Sequence, residues 1–129
     1  MASVTLNEIT KRWGDFTAVD QVSLEVRDQE FMVLLGPSGC GKTTTMRMVA
    51  GLEEPSEGEI FIGEKMVNDE LPKDRDVAMV FQNYGLYPHM SVYENIRYPL
   101  KVRKVDKSLH AEQVHIAAEK VQLGHLLKR

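Results

Sequence analysis

The segment Gly36-Pro37-Ser38-Gly39-Cys40-Gly41-Lys42-Thr43 satisfies the pattern G-x-x-x-x-G-K-[ST] in full, and residues of these types at this spacing hold a polyphosphate. Glycines let a backbone curl until successive N–H groups, here those between Gly39 and Thr44, point at a single anion. A helix that begins where the loop ends adds the positive end of its dipole. In such a loop Lys42 reaches the β- and γ-phosphates, the Thr43 hydroxyl holds Mg²⁺, and Thr44 bonds the α-phosphate. Cys40 needs only to be small, and a thiol placed there is a site where alkylation blocks binding. A glycine-rich turn that happens to precede a lysine has the same letters. A strand before the loop and a helix after it separate the two readings.

The flanking sequence supplies that context. Phe31-Met32-Val33-Leu34-Leu35 is apolar at every position, as expected of a strand covered on both faces inside a parallel sheet, and Val77-Ala78-Met79-Val80-Phe81 repeats the pattern. Gln82 follows the second run at the carboxyl end, where open α/β sheets place ligand-binding groups. Its amide is suited to coordinate Mg²⁺ or to order a water beside a γ-phosphate. Residues 42–50 have helical composition, and Gly51 stands where a left-handed cap is wanted. Val22, Leu24 and Val26 alternate with Ser23 and Glu25, and Val4 and Leu6 repeat this weakly, which predicts antiparallel strands near an edge. A turn at 55–58 leads to a short strand over 59–62. Ser91 and Glu94 have the spacing of a reciprocal capping box, so a helix starts there, with Pro99 expected to limit it. The final helix carries Val114, Ala117, Ala118 and Val121 as one apolar stripe and is expected to stop at Gly124. His89, His110, His115 and His125 fall in loop or helix patterns and read as solvated.

Charge and size exclude several classes. Sixteen basic against nineteen acidic residues give a net charge of -3, which offers no positive field for a nucleic-acid backbone. Nucleic acid is therefore not an expected partner. The fully apolar runs are about a quarter of a bilayer span, and the N-terminus has no apolar core of a secretory signal. One cysteine, Cys40, leaves no internal disulfide to form. The basic cluster Lys101, Arg103, Lys104 and Lys107 reads as a solvated face.

The combination of an early Trp13, the phosphate loop and Phe81-Gln82 resembles the nucleotide-binding domain of ABC transporters. Within that family the stretches Val49-Ala50-Gly51-Leu52-Glu53 and Val80-Phe81-Gln82-Asn83-Tyr84-Gly85-Leu86-Tyr87-Pro88-His89 are most similar to the maltose-type carbohydrate importers. Polyamine, iron and sulfate importers have closely similar stretches and remain alternatives. The resemblance implies an α/β P-loop NTPase of the ABC type: a parallel core sheet, an antiparallel N-terminal β subdomain, then the start of a helical subdomain. Residues 1–90 would be the nucleotide-binding core with Walker A and Q-loop, and 91–129 the beginning of the helical part. It implies ATP and Mg²⁺ as ligands, Trp13 stacking on adenine, Gly36, Pro37, Ser38, Gly39, Cys40, Gly41, Lys42, Thr43 and Thr44 around the phosphates, and Lys42 and Gln82 serving catalysis, with Thr43 and Gln82 on the metal. The segment 83–90, bounded by Asn83 and Met90, and the helix after it would meet the transmembrane permease subunits. A second ATP-binding subunit would pair head to tail, on the cytoplasmic face of the membrane.

The 129 residues depart from the family in one respect. No two of the nine glycines are adjacent, so no L-S-G-G-Q is present, and Asp69-Glu70 follows no apolar run of the Walker B kind. No histidine follows a buried strand. The sequence therefore reads as the nucleotide-holding, N-terminal part of an energising ATPase subunit. A non-catalytic nucleotide-binding or interaction module is the alternative from another class. A phosphotransferase or GTPase is disfavoured by the lack of N-K-x-D and by Trp13 and Gln82.

Overall fold

The computed structural model describes residues 2–129. By contacts the chain divides into one compact unit that ends at Met79 and a second that runs from Val80 to Arg129. No helix among the described residues is long and apolar enough to cross a membrane.

The first unit is built on two long strands, β1 (Val4–Trp13) and β2 (Phe16–Val26), joined by a tight turn in which Gly14 takes φ +56°. They pair antiparallel, with Val4 opposite Val26, Leu6 opposite Leu24 and Trp13 opposite Phe16. The alternation around Leu24 thus marks a real edge strand. On the other side of β1 lies β3 (Glu57–Ile62), followed by the two-residue β4 (Lys65–Met66), giving the antiparallel order β2-β1-β3-β4. Pairing is not regular: the register shifts between Leu6 and Ile9, and Glu8 sits at φ +48°. That bulge restores the inward direction, so that Leu6, Ile9 and Thr10 are all buried.

The core of this unit is Leu6, Ile9, Val19, Ile60 and Val67 with Met48, which is contributed by helix α1 (Lys42–Val49). Gly51 takes φ +74° just past the helix. Its N–H donates to the Met48 carbonyl at 3.1 Å and that of Leu52 to the Arg47 carbonyl at 2.9 Å, the paired bonds of a Schellman cap. The expected stop is therefore present at the expected glycine.

The two all-apolar runs behave differently from expectation. Neither 31–35 nor 77–81 forms a regular strand. Phe31 is 90% exposed, Leu35 87% and Val80 89%. A strand covered on both faces needs a paired neighbour on each side and helices above and below, and the β1–β4 sheet accepts neither run as a neighbour.

The second unit is a helical hairpin, α2 (Val92–Val102) and α3 (Lys107–Lys120). Ser91 caps α2 by accepting from the Glu94 N–H at 3.2 Å, as expected. Glu94 does not return the bond: its carboxylate pairs with Arg97 at 2.9 Å and Lys101 at 2.6 Å. Opposite charge one and two turns along the same face outcompetes a neutral N–H.

Pro99 lies inside α2 rather than ending it. An interior proline costs about 3 kcal/mol, yet Val92, Tyr93, Ile96 and Leu100 all pack on the Val114, Ala118 and Leu127 cluster. These side chains are partly buried, and four of them together contribute several times the roughly 0.8 kcal/mol of one buried methylene, so packing offsets the proline. The helix ends instead at Val102, with Lys104 left-handed at φ +56° just beyond the cap and Val105 N–H bonded to the Leu100 carbonyl at 3.0 Å.

Helix α3 buries His110, Val114 and Ala118, whereas Ala117 is exposed and Val121 is 61% exposed. It stops before Gly124. Gln122 takes the left-handed position at φ +58°, and Leu123 N–H reaches the Ala118 carbonyl at 2.8 Å. His110 is thus a core residue, its Nδ1 accepting from Arg97 Nε at 3.1 Å and its Nε2 facing the Val105 carbonyl at 3.0 Å. The chain end returns to α2, where the Val92 and Tyr93 N–H groups donate to the Arg129 and Leu127 carbonyls.

Candidate functional site

The phosphate-loop residues come together as a single feature of the first unit. Gly41 is the residue preceding α1, at φ +88°, and no side chain caps the helix. First-turn N–H groups are thereby left for an anion, and no acidic residue in that turn opposes one. Only glycine fits at this position: a Cβ there would fall 2.5 Å from the Ala18 carbonyl oxygen of β2, in a backbone conformation that other residues avoid. The loop is thereby pressed onto the edge strand.

Lys42 folds back across the loop it follows. Its Nζ donates to the carbonyl oxygens of Gly36 at 2.7 Å and Pro37 at 2.6 Å, and lies 3.3 Å from Cys40 Sγ. The ammonium is therefore held at the mouth of the cradle. Thr43 is exposed, Thr44 half-buried, and Thr45 bonds the Gly41 carbonyl through Oγ1 at 3.0 Å, anchoring the first turn. A free hydroxyl at Thr43 is a hard oxygen donor of the kind Mg²⁺ takes.

Trp13 ends β1 with 46% of its surface exposed and is no part of the core. Its ring lies parallel to that of Phe16, 4° apart in plane with centroids 6.4 Å apart, and Lys11 Nζ stands 5.6 Å from the indole centroid. Lys11 also pairs with Glu53 at 2.7 Å, which holds that carboxyl below the usual range, with Trp13 adding to the effect. Phe16 was not singled out by the sequence. Its signal is the hairpin register, which sets it directly opposite Trp13. Phe16 stands two residues before Ala18, about 7 Å along β2, so β2 carries both the aromatic partner of Trp13 and the backing of the phosphate loop.

Gln82 lies in the second unit, at the start of the exposed turn 82–85, where Tyr84 and Gly85 take positive φ. The run before it is not a buried strand, so the strand-end placement expected for Gln82 is replaced by a turn. The segment that follows is fastened by a residue the sequence did not mark. Asn95 Oδ1 accepts the Tyr87 N–H at 2.9 Å, and its Nδ2 donates to the carbonyls of Tyr87, Met90 and Ser91 at 3.0–3.1 Å. Tyr87 also packs on Tyr98, with ring centroids 4.9 Å apart. Tyr84 and Leu86 are left largely exposed.

Comparison with known proteins identifies the family. The chain is 58% identical over 135 residues to the trehalose/maltose import ATP-binding protein MalK of Thermococcus litoralis, an alignment covering all of the chain and 36% of that protein. It is 52% identical over 129 residues to the sn-glycerol-3-phosphate import ATP-binding protein UgpC of Ruegeria pomeroyi, covering all of the chain and 37% of that protein. The chain thus spans about a third of the length of these relatives. Among solved structures, the dimeric post-hydrolysis state of the ATP-binding cassette MJ0796 bound to ADP and Pi superposes with a TM-score of 0.84 at 29% identity, over 98% of this chain and 60% of that one. The family model for ABC transporters matches residues 19–129. The chain belongs to the ABC transporter family, with the fold of that family's P-loop cassette.

Proposed function

We propose that this chain binds Mg-ATP as part of the ATP-hydrolysing, energy-coupling subunit of an ABC importer. The observation that carries the reading is the loop 36–44. It opens onto an uncapped helix N-terminus, holds Lys42 at its mouth, and rests on β2, whose Phe16 ring lies parallel to that of Trp13 on β1. Adenine stacks against the aromatic pair, the loop N–H groups and Lys42 take the phosphates, and Thr44 bonds the α-phosphate. Thr43 and Gln82 supply the oxygen ligands for magnesium, which when bound spreads the charge of the β- and γ-phosphates. Gln82 also orders the attacking water.

Residues 1–90 form the nucleotide-binding part of this reading and 91–129 the start of the helical part. Segment 83–90 with α2 faces the transmembrane permease, and a second ATP-binding subunit closes head to tail on the cytoplasmic face of the membrane. A sugar is the proposed cargo class, since the trehalose/maltose protein is among the relatives; the glycerol-3-phosphate relative makes a polyol phosphate the competing cargo. Lys42→Ala is expected to abolish Mg-ATP binding or weaken it severely, because a charge-assisted contact inside the cradle is lost. Unchanged affinity by calorimetry would overturn the assignment of the loop.

A further inference from the structure

Arg75 is a buried cation that the nucleotide chemistry does not use. It is 5% exposed, and backbone carbonyls surround its guanidinium. NH1 donates to Met48 at 2.8 Å and Val49 at 3.1 Å, Nε to Glu70 at 3.0 Å, and NH2 to Asn68 at 3.4 Å. Burial pulls the guanidinium below its ordinary pKa, and the nearby charge of Glu70 pushes it back up.

Met48 and Val49 belong to the last turn of α1, where carbonyls carry the negative end of its dipole; that of Met48 accepts from both Arg75 and the capping Gly51 N–H. The first turn of the same helix is the phosphate cradle. Eight residues are too few for a helix to hold itself in water, so tertiary contacts decide where α1 points. Three such contacts act: Gly41 against Ala18 at the start, Met48 in the core, and Arg75 at the end. Gly51 leaves the room for this, since a Cβ there would meet Arg75 Nε at 2.6 Å.

We infer that Arg75 is a positioning residue for nucleotide binding: its planar fork ties the C-terminal carbonyls of α1 to the 68–70 loop and so fixes the direction in which the first-turn N–H groups and Lys42 meet the phosphates. This rests on the reading of loop 36–44 as an ATP site. Lysine cannot substitute, because a point charge with three donors does not span helix and loop carbonyls together.

The test uses the full-length protein with Arg75→Lys, Arg75→Met, Gly51→Ala and, as a control, Lys42→Ala. Binding of AMP, ADP and Mg-ATP is measured by calorimetry well below each variant's melting temperature. A misplacement of about 1 Å in a positioned site costs up to about a hundredfold. The expected result is ADP and ATP affinity lowered by roughly tenfold or more in both Arg75 variants, AMP affinity much less affected, and Arg75→Lys no better than Arg75→Met. Gly51→Ala, which displaces the guanidinium without deleting it, acts in the same direction and serves if neither Arg75 variant folds. Lower melting temperatures with an unchanged ADP-to-AMP affinity ratio would overturn the inference and leave Arg75 a scaffold residue, provided Lys42→Ala loses binding. Normal binding by Lys42→Ala would instead overturn the reading of the loop, and the inference with it.

Discussion

At the scale of single residues, the site divides into groups held by covalent neighbours and groups held by distant ones. The Lys42 ammonium is held by its own loop, because the carbonyls it meets belong to Gly36 and Pro37. Trp13 depends on the hairpin: its parallel neighbour Phe16 and the Lys11 ammonium set the ring, and nearly half of its surface stays open. Trp13→Ala is therefore expected to weaken ATP binding by about 1–3 kcal/mol, the usual worth of a stacked base, with Trp13→Phe retaining most of it. Titration of folded protein with ATP decides the matter. If only thermal stability fell and affinity held, the indole would be a structural residue of the hairpin.

At the scale of elements, both helices of the second unit are followed, just past the cap, by left-handed residues that are not glycine, Lys104 and Gln122. Such a conformation costs a non-glycine residue about 1 kcal/mol or somewhat more. Gln122→Gly is expected to stabilise the folded protein by about 0.5–1 kcal/mol in denaturant melts, although glycine is usually destabilising elsewhere. No change, or a loss, would contradict the cap geometry.

The hairpin also has an acid-sensitive face. Lys101 first and Arg97 next hold the Glu94 carboxyl below its ordinary value of 4.5, and the Ser108 N–H and hydroxyl lower Asp106 in the same way. A carboxyl that binds its proton less tightly folded than unfolded stabilises the fold above the unfolded value. That contribution fades as pH falls through the lowered folded value. Melting temperature should thus drop on acidification through and below the ordinary carboxylate range. In Glu94→Gln the drop should be shallower, and an identical slope would show that these pairs add nothing.

At the scale of the whole molecule, the conspicuous feature is apolar surface without cover. In the first unit Phe31 and Leu35 are almost fully exposed, and in the second, taken by itself, so is Val80, with Tyr84 and Leu86 largely exposed. Patches of this kind mark surfaces that other protein normally covers. A polypeptide of residues 1–129 alone is expected to bind an apolar dye, to aggregate on concentration, and to bind Mg-ATP without turning it over. Its sequence carries no L-S-G-G-Q and no Walker B carboxylates to orient water. Steady phosphate release from that polypeptide, abolished by Lys42→Ala, would show that the catalytic parts have been misassigned.

Features written in local chemistry were legible in the amino-acid sequence. The phosphate loop, the Gly51 cap, the Ser91 cap and the alternating edge strand each depend on backbone freedom or on side chains a few residues apart, and each stands where the pattern puts it. Features that depend on what lies across space were not legible. The apolar runs 31–35 and 77–81 have a strand's composition but pair with nothing in the β1–β4 sheet. Pro99 has the form of a helix stop, and the packing of α2 on Val114 and Ala118 carries the helix through it. His110 looks solvated until Arg97 and the Val105 carbonyl enclose it, and Asn95 is an ordinary polar residue until Tyr87 and Met90 are folded onto it. Composition and spacing determined the glycine-rich loop and the uncapped helix that begins after it. Tertiary structure alone decided which ring faces Trp13 and which cation, Arg75, holds the far end of the helix, because both choices depend on contacts between segments that periodicity does not relate.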